Sequence, residues 1–248
     1  MSTERGIRLE WEGERTLARL HIHLPPVNVL GAAHLDELAG LIEDASSARV
    51  LVLSGLPRAF SAGVELAEHV PESGPIERML AAMRGLLAAL IETPAVTVAS
   101  VSGACLGGGA EIAAACDFVL AAEDARIGFP EIRLGCFPPA AAVLLPARIG
   151  EARAADWILT GRTFSGSEAA ASGFATRAVP AANLERETRR LAGELLSRGA
   201  AALRAACGLM RAPRRHALAA SLIHAEDAYR KLEGNEDLAR AIQEFKKR

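Results

Sequence analysis

Three consecutive glycines, Gly107-Gly108-Gly109, stand between an apolar, β-branched run and Ala110–Ala115, which reads as a helix. No other feature restricts the fold of this chain as much. Without Cβ atoms, the backbone can turn sharply and come close to whatever lies opposite. The helix start also leaves N–H groups without intrahelical partners, in a place where the dipole favours negative charge. Taken alone, the triplet is a tight turn with close helix packing. It is not a dinucleotide fingerprint, because Gly103 and Gly107 lack the G-x-G-x-x-G spacing, and no Walker lysine follows.

The chain around the triplet alternates between two periodicities. Gly6–Trp11 and Thr16–Leu24 read as a hairpin around Glu12-Gly13-Glu14, ended by Pro25-Pro26. A helical stripe over Ala33–Ala45 and a short apolar strand over Val50–Ser54 follow. Ala59–Glu65 reads as a loop whose glycine lets N–H groups turn inward. Ile76–Ile91 is a helix ended by Pro94, and Ala95–Val101 is a buried strand. Beyond the triplet, Phe118–Ala121 reads as a strand, and Ala140–Ile149 and Ala152–Leu159 as helices. From Leu184 onward the pattern is helical, with breaks near Pro213 and Gly234. The expectation is an α/β chain of ββα-like units over residues 1–183, with a helical region over 184–248.

Charge and composition exclude several functions. With 28 basic and 30 acidic residues, the net charge of −2 argues against a polyanion binder driven by bulk charge. Ten aromatics leave few platforms for stacking bases. Arg211-Ala212-Pro213-Arg214-Arg215-His216 is the one basic cluster that invites a nucleic-acid reading. Cys105, Cys116, Cys136 and Cys207 form no C-x-x-C pair and read as reduced core thiols, with no histidine placed to activate a nucleophile. His21 and His23 could share one face of a strand, but no third ligand is spaced for zinc, which leaves them as edge-strand residues. The start, MSTERGIRLEWEGER, is charged where a signal peptide would be apolar, and no apolar run reaches about 18 residues. A cytoplasmic protein without a membrane span is expected.

Two loops that each offer backbone N–H groups could together hold the oxygen of a thioester carbonyl. Glu111 falls in the first turn after the triplet, where a favourable dipole interaction would explain it equally well. Glu131, in Phe129-Pro130-Glu131-Ile132, would singly be an exposed loop acid.

Together, AFSAGVELAEH, SGACLGGGAEIAAACDFVLAAEDARIGFPEIRLG and LLPARIGEARAADWILTGRTFSGSEAAASGFATRAV resemble the crotonase, or enoyl-CoA hydratase/isomerase, family. The likeness is strongest from Ala59 to Val179. It implies a crotonase-like spiral of ββα units with a C-terminal helical trimerisation region, assembled as a homotrimer or dimer of trimers. It implies an acyl-CoA thioester substrate, no metal, and no cofactor beyond the coenzyme A carried by the substrate. By position, the N–H groups of Val64 and Gly108 would be oxyanion donors, and Glu111 and Glu131 match the two catalytic glutamates of the hydratases. Isomerases of the family commonly keep an acid only at the Glu131 position, so the pair favours water addition over isomerisation. A linear-chain hydratase, an isomerase and an RNA-binding homologue are the alternatives.

One stretch departs from the common pattern. Gly135-Cys136-Phe137-Pro138-Pro139-Ala140-Ala141-Ala142 stands where most members carry a Pro-Gly-Ala-Gly-Gly-type turn. Pro139 either removes an N–H near the water site or simply starts a helix. This stretch and Glu65-Leu66-Ala67-Glu68-His69-Val70-Pro71 resemble a subgroup of cyclic dienoyl-CoA hydratases. The resemblance implies a broad, weakly polar pocket of Phe137, Pro138 and Pro139 that suits a six-membered ring. It also assigns Arg58 to a coenzyme A phosphate, Ala62 and Val64 to the adenine, Glu65 and Gly107 to substrate binding, and Lys247 of the EFKKR end to coenzyme A. For Arg58 and Lys247, a solvated surface charge is the other reading.

Overall fold

A computed structural model describes residues 5–65, 73–232 and 235–245. The chain opens with β1 (Gly6–Glu12), β2 (Leu17–His23), β3 (Val29–Leu30), α1 (Ala32–Asp44) and β4 (Val50–Ser54). Next come β5 (Ala59–Ser61), β6 (Gly63–Val64), α2 (Ser73–Glu92), β7 (Val96–Val101), β8 (Ala104–Leu106) and α3 (Gly108–Ala115). β9 (Phe118–Ala122), β10 (Arg126–Gly128) and a 3-10 turn (Pro130–Leu134) lead into α4 (Pro139–Ile149) and α5 (Glu151–Thr160). β11 (Thr163–Ser165), α6 (Gly166–Ser172) and β12 (Arg177–Val179) precede the helices α7 (Leu184–Leu196), α8 (Ala200–Ala217), α9 (Ile223–Arg230) and α10 (Glu236–Phe245).

The main sheet has the order β1-β2-β4-β7-β9-β12 and is parallel except for the β1–β2 hairpin. Its inner strands are buried along their length, as in β7, where all six residues are buried. That is why they read as unbroken apolar runs rather than alternating ones. A second sheet, β11-β10-β8-β5, holds three short parallel strands side by side, and β3 pairs with β6. Three repeats, beginning at β4, β7 and β9, each send a long strand to the first sheet and a short one to the second before the next helix. The expected ββα architecture is present.

Beneath the second sheet, Trp157 stacks on Phe164 at 4.1 Å and on Phe174 at 5.1 Å, with Phe129 tilted against it at 6.3 Å. Much of the chain's aromatic volume thus anchors Phe129, the residue that leads into the 3-10 turn.

Three expectations need correction. β2 lies between β1 and β4, so His21 and His23 are not on an edge strand. The His21 ring instead hydrogen-bonds to Ser54 Oγ of the neighbouring strand at 3.1 Å. Ala59–Glu65 is not simply a loop, since it contains β5 and β6. Pro213 does not break its helix. α8 runs through it and continues by a π-helical segment, Leu218–Leu222, into α9. A proline inside a helix costs roughly 3 kcal/mol, and here the helix is pinned on both sides of it. Arg211, only 2% exposed, and Arg214 both pair with Asp117, and Arg211 also donates to the carbonyls of Thr93 and Ala95. The expected break at Gly234 lies outside the described residues.

Candidate active site

β5, β8 and β10 run parallel, and in sheets of this kind ligands gather beyond the carboxyl ends of the strands. Those three ends deliver the residues of interest. In the pairing of β8 with β10, Leu106 stands opposite Gly128. The next residue, Gly107, donates its N–H to the Gly128 carbonyl at 2.9 Å and takes a φ of +52°, a conformation that favours glycine. A Cβ on Gly107 would lie 2.6 Å from Oε1 of Glu131. Helix α3 starts at once, at Gly108, two residues earlier than the alanine run suggested.

Gly108 is the first residue of α3, so its N–H has no carbonyl four residues back within the helix. On the facing segment, Glu65 N–H donates to Leu30 C=O at 2.9 Å. Successive amides of a strand point to opposite edges, so the Val64 N–H is directed away from β3. It faces α3, where the Cβ position of Gly108 lies 3.7 Å from Val64 N. The β5–β6 segment is fixed by Asn28. Its buried amide donates to the carbonyls of Ile22, Ala59 and Phe60, each at 3.0 Å, and accepts from Leu24 N–H at 2.7 Å. Ser61 Oγ completes the clasp by donating to Asn28 C=O at 2.8 Å.

Glu111 is 4% exposed. Its Oε1 accepts the Ala141 N–H at 2.9 Å, in the first turn of α4. Burial pushes its carboxyl up to about 7, although the Ala141 and Ala140 amides favour the ionised form. Glu131 is raised to about 8, first by burial and then by the Glu111 charge. Its Oε2 is buried with no hydrogen-bond partner among the described residues, an expensive position for an anion. The two acids therefore behave as one titrating pair, with Glu111 ionising first. The thiols at Cys105 and Cys116 are pushed up by burial, so neither is a nucleophile at neutral pH.

Six residues singled out in the sequence line one cavity of about 50 Å³: Val64, Gly108, Glu111, Glu131, Phe137 and Pro139. A space of that size holds a few ordered waters. Pro139 meets both readings offered for it, since it is the first residue of α4 and also lines the pocket. Pro138 does not line it. It is the buried, extended N-cap of α4. Arg58 is exposed at the entry to β5, Ala62 is held through its N–H by Val27 C=O at 2.9 Å, and neither they nor Glu65 are part of the cavity wall. Lys247, Glu68 and His69 lie outside the described residues.

The basic cluster is spent on the protein itself. Arg211 and Arg214 turn inward to Asp117, Arg215 pairs with Glu92 at 2.5 Å, and His216 bonds to Ala212 C=O. The nucleic-acid reading loses the feature that invited it. No group of three His, Cys, Asp or Glu side chains among the described residues is placed to hold a metal, and no described helix is long and apolar enough to cross a membrane.

The sequence reading missed Arg84, Glu226 and Tyr229, which also line the pocket. A cation in the middle of the apolar α2 stripe and the chain's single tyrosine were the available signals. Glu226 and Tyr229 lie three apart, on one face of α9.

A spiral of ββα units with two acids and two inward amides at the ends of its short strands defines a class, and the comparisons give it a name. The family model for enoyl-CoA hydratase/isomerase matches residues 12–248, and the chain belongs to that family. It is 37% identical over 160 residues to the cyclohexa-1,5-dienecarbonyl-CoA hydratase of Thauera aromatica, covering 63% of this chain and 61% of that protein. It is 36% identical over 182 residues to the hydroxycinnamoyl-CoA hydratase-lyase of Pseudomonas fluorescens, covering 69% of this chain and 64% of that protein. The matched region thus spans less than two thirds of each relative's length. A solved enoyl-CoA hydratase from Mycobacterium avium subsp. paratuberculosis superposes with a TM-score of 0.88 at 26% identity, covering 98% of this chain and 96% of that one.

Proposed function

We propose that this protein adds water to an unsaturated acyl-CoA thioester, with cyclohexa-1,5-diene-1-carbonyl-CoA as the substrate and 6-hydroxycyclohex-1-ene-1-carbonyl-CoA as the product. The observation that carries the reading is the placement of Glu111 and Glu131 in one pocket, beside the amides of Val64 and Gly108. Two acids raised to different extents allow one to act as base while the other acts as acid. Likeness to the Thauera protein and a wall that includes Phe137 and Pro139 support the ring.

In this mechanism the thioester oxygen accepts from the Val64 and Gly108 N–H groups. Glu111, ionised, takes a proton from water as the oxygen bonds to the β-carbon of the ring. The π electrons move onto the thioester oxygen, and the negative charge spreads through the second double bond to the distal carbon. Glu131 delivers its proton there, and the remaining double bond settles next to the thioester. Glu111 then returns a proton to Glu131 through the next water, so one water is consumed and both acids are restored. Removing one oxyanion donor in such sites costs about 3 kcal/mol of transition-state stabilisation. In the same reading the C-terminal helices trimerise the protein, which works in the cytoplasm without a separate cofactor.

The test is hydration of cyclohexa-1,5-diene-1-carbonyl-CoA beside crotonyl-CoA, with products separated by chromatography. Preferred turnover of the ring, lost in Glu111→Gln and in Glu131→Gln, is the expected result. Preference for crotonyl-CoA would overturn the ring assignment, and full activity in either variant would overturn the two-acid mechanism.

A further inference from the structure

The turn that carries Glu131 is tied to α9 by a short chain of side-chain hydrogen bonds. Cys136 closes the turn. Its N–H donates to the Glu131 carbonyl at 3.2 Å, and its Sγ donates to the same oxygen at 3.5 Å. Burial pushes the Cys136 thiol up to about 11, so it keeps its proton at neutral pH. Behind it stands Tyr229, buried, with its hydroxyl a hydrogen-bond partner of that thiol. Burial keeps the phenol protonated as well. With the thiol proton given to the carbonyl, the sulfur is left to accept from the hydroxyl. The Tyr229 ring is seated separately, tilted against Phe137 at 5.7 Å in a cluster with Ile76, Leu80 and Leu238.

Glu131 needs such support. Its Oε2 has no hydrogen-bond partner among the described residues, so the place of the carboxyl depends on where the backbone of the turn is held. The end of the turn leans on α10: Gly135 takes a φ of +76°, and a Cβ there would lie 2.8 Å from Leu238 N. Apolar contact of this kind is not directional, whereas a hydrogen bond fixes a direction. The Tyr229–Cys136 link reaches the carbonyl of Glu131 itself. A phenylalanine would fill the same space against Phe137 without burying a hydroxyl, which costs free energy unless it is bonded. The hydroxyl therefore calls for a role beyond packing.

We infer that Tyr229 is a positioning residue for Glu131 and acts through Cys136: the hydroxyl fixes the thiol, and the thiol fixes the Glu131 carbonyl. Resting on the reading above, in which Glu131 supplies the proton, this link holds the acid in its place beside Glu111. Helix α9 then does more than wall the cavity, since it also aims one of the two acids inside it.

The test uses Tyr229→Phe, which keeps the ring, and Cys136→Ala, which removes the sulfur, singly and together. Rates are read on whichever of cyclohexa-1,5-diene-1-carbonyl-CoA and crotonyl-CoA the wild type hydrates. Each single variant is expected to lose about tenfold in kcat, the rate equivalent of one hydrogen bond, with KM near the wild-type value. The double variant should lose no more than either single one, since both remove the same link. The alkaline limb of the pH profile should also move down, because a loosened Glu131 leaves the position where burial and the Glu111 charge raise it. Glu111, Arg84 and Glu226 in the cavity, and Asp237 behind the turn, are unaltered in all three variants. Wild-type kcat in Tyr229→Phe, losses that multiply in the double variant, or a raised KM at unchanged kcat would each overturn the inference. If the wild type hydrates neither thioester, the reading above fails, while the link is still read from carbon-13 NMR of the Glu131 carboxyl, assigned by its loss in Glu131→Gln. Its titration midpoint should fall toward 4.5 in Tyr229→Phe, and an unmoved midpoint would overturn the inference.

Discussion

Gly107 and Glu131 are packed so closely that the smallest side chain cannot come between them: a Cβ on Gly107 would stand 2.6 Å from the carboxyl oxygen Oε1. The glycine turns the chain from β8 into α3, and the glutamate sits in the turn that follows β10. Their contact therefore sets how the acid from one repeat meets the amides from the two repeats before it.

Gly107→Ala should displace Glu131 and strain a backbone held at φ +52°. A misplacement of about 1 Å costs on the order of 10²-fold in rate. Steady-state kinetics should show kcat lowered by about that factor, while circular dichroism still reports the native fold. An unchanged kcat would show that the glutamate's position is not set by this contact.

The paired acids predict a narrow pH profile. If the proposed mechanism holds, with Glu111 ionised and Glu131 protonated, kcat/KM should rise through about 7 and fall through about 8. The values belong to the pair rather than to either residue. A plateau from pH 6 to 10 would contradict the acid role of Glu131.

Those same raised values carry a cost in stability. A carboxyl that ionises near 4.5 in the unfolded chain and near 8 in the folded one binds more protons when folded across that window. Stability is then fully present below about pH 4.5 and declines as the pH rises toward 8. Glu131→Gln removes the charge to be buried, so its melting temperature should exceed that of the wild type by a few degrees at pH 8. Near pH 5 the difference should be much smaller, and scanning calorimetry at both values checks the sign.

Asp117 is the hub that ties α8 to the sheet. Thr97 N–H, Thr97 Oγ1, Arg211 and Arg214 all converge on its carboxylate. Removing one partner of a buried pair costs about 3–5 kcal/mol. Asp117→Ala should therefore lower the urea midpoint sharply, because Arg211 would be left buried and unpaired. A loss near zero would mean that the carbonyls of Ile91, Thr93 and Ala95 around Arg211 suffice.

The long strands were legible in the sequence because β4, β7 and β9 are buried along their length and leave unbroken apolar runs. The site was legible only through resemblance. β3, β5, β6, β8 and β10 have two or three residues each, too few to show a period of two. Glu111 and Glu131 look ordinary along the chain, since what marks them is burial and mutual charge. The Arg211–His216 cluster stood out for the opposite reason. Charge is visible in a sequence, but the buried carboxylate that neutralises it lies 94 residues away at Asp117. Pro213 suggested a helix end because local rules do not see the two arginines that hold the helix on either side.

The unbroken run of α8 through the π-helical segment into α9 has a consequence for synthesis. Both acids and both amides belong to the first 131 residues, yet Leu222, Glu226 and Tyr229, which close the cavity, are synthesised more than 90 residues later. The nascent chain holds its reactive groups long before it has a chamber to shelter them. The chamber is walled on that side only when α9 docks against α2 and α4.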